Sequence, residues 1–138
     1  MKTQRVATWV ASLTDKPGGL AAKLDTLAAG GVNLEFIIAR RAPDKPGTGV
    51  VFITPVKGAK QIRAAKTAGF HPTSKLHTVR IEGTDRPGLG ARLTRALAGQ
   101  GLNLRGLSAA AIGKKFVCHI AVDNEADAAA AVRILHDL

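Results

Sequence analysis

A chain of 138 residues, 46% of them hydrophobic, has enough apolar side chain for a folded core, yet contains no run of about eighteen uncharged apolar residues that could span a membrane. Its single cysteine, Cys118, excludes an internal disulfide framework, and Lys2 and Arg5 are followed by polar Thr8, Ser12, Thr14 and Asp15 rather than a signal-peptide core, so a cytoplasmic protein is expected. The net charge of +10 raises the question of a polyanionic partner.

Taken in chain order, Val6–Leu13 reads as a strand apolar on both faces, which predicts a central position in a sheet. Asp15-Lys16-Pro17-Gly18 reads as a turn opening a helix, since the fixed φ and missing N–H of proline suit a helix's first turn. Leu20, Leu24, Leu27 and Ala28 recur at helical spacing, and Gly30-Gly31 supplies the stop. Residues 33–41 and 49–55 form a predicted hairpin over the loop Ala42–Thr48, whose Asp44-Lys45-Pro46-Gly47 reads as a hairpin turn. A second helix covers Ala59–Ala68 and closes at Gly69; Phe70–Ser74, interrupted by Pro72, suits an edge strand. The remainder reads as strand Leu76–Glu82, helix Gly88–Ala98, strands Leu102–Ile112 and Phe116–Val122, and a helix Glu125–His136 capped by Asp123 or Asn124.

The chain says the same thing twice. Laying residues 15–34 on 85–104 without a gap gives nine identities in twenty: Asp15/Asp85, Pro17/Pro87, Gly18/Gly88, Ala21/Ala91, Leu27/Leu97, Ala28/Ala98, Gly31/Gly101, Asn33/Asn103 and Leu34/Leu104. A seventy-residue period is one small domain, so two copies of a βαββα module are expected, 1–74 and 75–138, with a closing strand evident only after the first. Position 20 departs from the repeat: the second copy has Gly90 there and its leucine at Leu89, so the two turns should differ in shape.

This element order, with an Asp-x-Pro-Gly turn and a Gly-x-Asn before the second strand of each copy, resembles the ACT domain family of small-molecule-binding regulatory modules. The resemblance covers nearly the whole chain, twice. It implies an α+β, ferredoxin-like fold with helices on one face of each antiparallel sheet, and modules that often pair side by side into one larger sheet. It further implies a non-enzymatic amino-acid sensor that binds its ligand at the interface between ACT domains, without a cofactor. Asp15, Pro17, Gly18, Gly19 and Asn33, with Asp85, Pro87, Gly88, Leu89 and Asn103, are then the candidate ligand-binding residues, Asp15 working with Asn103 and Asp85 with Asn33.

The residues themselves are compatible with that role. Exposed amides at a helix start suit an α-carboxylate, an aspartate can face an ammonium group, and an asparagine offers both donor and acceptor to a zwitterion. The alternatives are structural: Asp15 and Asp85 as helix caps, Asn33 and Asn103 as turn residues in left-handed conformation. A second function class rests on charge. Residues 1–74 hold eleven Lys/Arg against four Asp/Glu, residues 75–138 nine against six, and Lys57, Lys60, Arg63 and Lys66 cluster on one helix. This keeps a nucleic-acid-binding ferredoxin-like protein using helix 59–68 as the alternative, although no Tyr, one Trp and four Phe argue against nucleic acid as the primary partner.

Other chemistry is absent from the pattern. Cys118 and His119 are neighbours in a strand and point to opposite faces, which excludes a nucleophile–base pair. His71, His77, His119 and His136 have no metal-ligand spacing, and Gly88-Leu89-Gly90 is followed by Leu93 where a dinucleotide loop needs a small residue. The second sheet, lacking an evident last strand, would leave an open edge, which predicts a homo-oligomer, a dimer first of all.

Overall fold

The computed structural model describes residues Met1–Leu138. The chain divides into two compact units: a first module of Ala7–Thr73, and a second of Met1–Val6 with Ser74–Leu138.

The first module contains β2 (Trp9–Thr14), α1 (Gly19–Ala29), β3 (Phe36–Arg41), β4 (Thr48–Thr54), α2 (Gly58–Thr67) and β5 (His71–Pro72). Its four strands form an antiparallel sheet in the order β3-β4-β2-β5. Alternation along β2 and β4 sends Trp9, Ala11, Val51 and Ile53 to one face, where they are buried with Leu27, Ala65, Ala68 and Phe70 of the helical layer. As its proline required, β5 lies on an edge, with Pro72 opposite Trp9.

The second module repeats this with β6 (His77–Thr84), α3 (Leu89–Gly99), β7 (Gly106–Ile112), β8 (Lys115–Val122) and α4 (Glu125–His136). Val79, Ile81, Cys118 and Ile120 of the sheet bury against Leu89, Leu93, Leu97, Ala128, Ala131 and Leu135. Cys118 is a core residue, 1% exposed. Asn124, not Asp123, caps α4, its side-chain oxygen accepting the Asp127 N–H at 2.8 Å. Both modules are α+β and ferredoxin-like, with helices on one face of a four-stranded sheet.

The strand expected over Val6–Leu13 is β2, which starts later, at Trp9, and a further strand that was not expected precedes it. β1 (Lys2–Val6) ends before Ala7-Thr8 and pairs antiparallel with β6, Lys2 opposite Glu82 and Val6 opposite Thr78, so the second sheet reads β1-β6-β8-β7. The second sheet therefore has its fourth strand, taken from the start of the chain, and the edge of β6 expected to be open is covered. β1 is mostly exposed and is held by polar contacts as much as by burial. The Arg5 guanidinium makes a bidentate pair with Glu125, one bond at 2.9 Å; Lys2 lies 3.8 Å from Glu82, and the Thr3 hydroxyl donates to Val132 O at 3.4 Å.

Candidate functional site

The two Asp-x-Pro-Gly segments fold alike, and the fold accounts for part of their likeness. Gly18 and Gly88 are the N-cap residues of α1 and α3, at φ +82° and +81°, a conformation that disfavours any Cβ. The first helical bonds run from Ala22 N–H to Gly18 O (3.1 Å) and from Arg92 N–H to Gly88 O (2.9 Å). At the other end Gly31 and Gly101 take φ +81° and +77°, with Val32 N–H bonded to Leu27 O and Leu102 N–H to Leu97 O, the Schellman closure that lets each helix turn back into its second strand. Leu27 and Leu97 are core residues, each 1% exposed.

The aspartates do not cap. Neither helix has a side-chain cap bond. The backbone instead ties each aspartate to the tip of its own hairpin: Asp15 N–H donates to Gly47 O at 3.0 Å, and Asp85 N–H to Lys114 O at 2.8 Å. The carboxylates then differ. Asp15 Oδ2 lies 2.8 Å from Arg41 Nε, whereas the strand position equivalent to Arg41 is Ala111 and the Asp85 carboxylate has no ion-pair partner. Arg41 was not foreseen, because its pairing needs the register of β3 against β4, and no local pattern near Asp15 carries that.

Asn33 and Asn103 lie in the loops ahead of β3 and β7, not in the strands, and both are exposed. No residue other than glycine has positive φ, so neither asparagine holds a left-handed turn; Gly31 and Gly101 do that. Their side-chain amides make no hydrogen bond within the protein. Pro17 and Pro87 are exposed on the turns. Gly19 and Leu89 show where the copies diverge. The Gly19 and Leu89 amides are both committed to the turn, donating to Lys16 O at 3.1 Å and Arg86 O at 3.3 Å. A Cβ on Gly19 would lie 2.5 Å from Thr14 O, while the Leu89 side chain is buried in the core of the second module.

Beside the first turn the surface falls into an open cleft of about 640 Å³, lined among others by Lys16, Pro17, Gly18, Gly19, Lys23 and Thr48. Asp15 and Asn33 do not line it. Lys23, not singled out by sequence, donates to Ala68 O at 2.7 Å and sits 5.8 Å from the centre of the Phe70 ring, which fixes its ammonium at the end of α2. The cleft thus joins glycine backbone at a helix start to two lysines, an arrangement that favours a carboxylate. Nowhere in the chain do three His, Cys, Asp or Glu side chains form a group placed to hold a metal ion.

The model of the ACT domain family matches residues 77–138. Residues 77–138 are an ACT domain. The first module has the same ferredoxin-like fold. Solved structures agree on the fold. A Bacteroides thetaiotaomicron protein superposes with a TM-score of 0.79 at 18% identity, over 98% of this chain and 89% of that one. The ligand-free regulatory subunit of aspartate kinase from Thermus thermophilus gives 0.65 at 19%, over 99% and 94%. The aspartate kinase of Clostridium acetobutylicum gives 0.63 at 16%, over 98% of this chain and 33% of that one. No curated protein matches the sequence. ACT domains are regulatory modules that bind small molecules, and the family match gives that coarse role to residues 77–138. No helix is long and apolar enough to cross a membrane.

Proposed function

We propose that the protein is a non-enzymatic sensor whose ACT turns bind an amino acid, with a paired ACT module closing the pocket. The observation that carries this reading is the recurrence, at one spacing, of exposed Asp15/Asp85 and Asn33/Asn103: neither aspartate caps its helix, the asparagines bond to nothing, and of the four side chains only Asp15, paired with Arg41, has a partner within the protein. The ligand carboxylate meets the amides left free at the helix start, those of Gly18, Leu20 and Ala21 in the first module, because the Gly19 amide already serves the turn. Its ammonium is taken by an aspartate and an asparagine side chain. At Asp15 it competes with Arg41 for the carboxylate.

A thermal-shift screen against the twenty amino acids at millimolar concentration tests this. One ligand, or a chemically related few, should raise Tm, since a ligand at about a hundred times its Kd adds about 2.7 kcal/mol of stability. For that ligand, Asp85→Ala or Asn103→Ala should weaken binding roughly ten- to a hundredfold, the worth of a charge-assisted hydrogen bond. A flat screen with the folded protein overturns the reading.

A further inference from the structure

We propose that the outward face of α2 is a docking surface for the phosphate backbone of double-stranded nucleic acid, a binding site separate from the ACT turns. Lys57 is the N-cap residue of this helix, and Lys60, Arg63 and Lys66 follow at intervals of three along it; all four side chains are exposed. The helix contains no Asp or Glu, and none of the four cations has a carboxylate partner. Five other basic residues, Lys2, Arg5, Arg41, Arg80 and Arg105, are paired with carboxylates.

The arrangement is unfavourable for the helix alone. Two lysines at its start oppose the positive end of the helix dipole, only Lys66 in the last turn agrees with it, and like charges one turn apart repel. Within the same chain α4 shows the opposite distribution, with Glu125 and Asp127 in its first turn and Arg133 and His136 in its last. A sequence that starts one helix with acidic residues and another with lysines alone has a use for the second, because local rules are broken mainly where function requires it.

The chemistry of the face selects among anionic partners. Ile62, Ala65 and Ala68 turn inward to the core of the first module, so the outward face offers no large apolar group to enter a lipid surface or to anchor a protein partner. α2 has no aromatic residue on which unpaired bases could stack, so the weakness of the aromatic content argues against single strands and not against a duplex. At about 1.5 Å rise per residue, Lys60, Arg63 and Lys66 step along the axis by about 4.5 Å each. A duplex carries one charge per about 1.7 Å of axis, so every cation of the row finds a phosphate within reach.

Fluorescence anisotropy of a short labelled DNA duplex titrated with the full chain tests the assignment. Four phosphate contacts give log K against log salt a slope of about −3 to −4, a roughly hundredfold loss between about 50 and 200 mM salt. Lys60→Gln/Arg63→Gln/Lys66→Gln should reduce the slope to about −1 with Tm unchanged or raised, since the helix loses repulsion. Lys45→Gln/Lys115→Gln, which removes exposed cations elsewhere, should leave the slope as it was. Absence of binding at low salt overturns the proposal. So does an equal loss per charge in the control variant, or tighter binding to phosphatidylcholine–phosphatidylglycerol vesicles than to the duplex.

Discussion

Gly30 lies so near α2 that a Cβ on it would sit 2.2 Å from the Cβ of Ala64, which is why the two helices of the first module can approach there. Gly30→Ala should therefore destabilise the protein by about 1–3 kcal/mol in urea titration, the range for overpacking a filled contact. The equivalent position in the second module is Gln100, which is exposed, so Gln100→Ala should change stability by less than about 0.5 kcal/mol. Cys118 gives a chemical test of the second core. Burial pushes its thiol up to about 11, so in the native protein at pH 8 it should stay protonated and unreactive toward a disulfide reagent, and react at once in denaturant. At this scale the sequence was legible wherever a residue's task is local: Gly18 and Gly88 opening helices, Gly31 and Gly101 closing them, Leu27 and Leu97 in the cores. It was illegible where the task depends on another strand's register, as for Arg41 on Asp15.

Among the elements, β1 is fastened to the second module by side chains that titrate. The Arg5 guanidinium, hydrogen-bonded to Glu125, holds that carboxyl below its ordinary value of 4.5, and Arg80 does the same for Glu82, which also faces Lys2 on β1. A lowered carboxyl adds stability above its ordinary value, and that stability is lost as pH falls through the lowered one. Protection of the Lys2–Val6 amides against exchange, relative to their intrinsic rates, should thus fall below about pH 4.5, ahead of β8, and Glu125→Gln should flatten that dependence. Equal protection of β1 at pH 3 and pH 7 would contradict it. The helices were legible from periodicity and their stops, and α4 from its cap. The strand β1 was not, because Lys2-Thr3-Gln4-Arg5 is polar and has no alternation that marks a half-buried strand. What makes it a strand is a partner, β6, that lies far along the chain.

For the molecule as a whole, the seventy-residue repeat disclosed two modules, though not that Met1–Val6 belongs to the second, and the resemblance of its motifs gave the family; a homo-oligomer was expected from an open edge of the second sheet, and β1 covers the edge of β6. An edge suited to pairing exists elsewhere. β7, Gly106–Ile112, bonds only to β8, carries no charge and no proline, and leaves Leu107 and Ile112 45% and 77% exposed. Set antiparallel against a second copy about a twofold at Ala109, it would place Leu107 against Ala111 and Ile112 against Gly106, large opposite small on both faces. A dimer is the expected state in sedimentation, and Ala109→Lys should raise its dissociation constant at least about tenfold by opposing like charges at the axis. A monomer at high micromolar concentration would contradict this.

The borrowed strand also sets an order of assembly. Everything in Ala7–Thr73 can fold as soon as it has been synthesised, but β1, made before it, has no sheet to join until β6 and α4 have been made. It must wait through the whole first module as an unpaired strand, and it closes its long loop last. A tag or truncation at the amino end should therefore leave the first module's unfolding transition in place and weaken that of the second, so the damage would be read at the far end of the chain from the change.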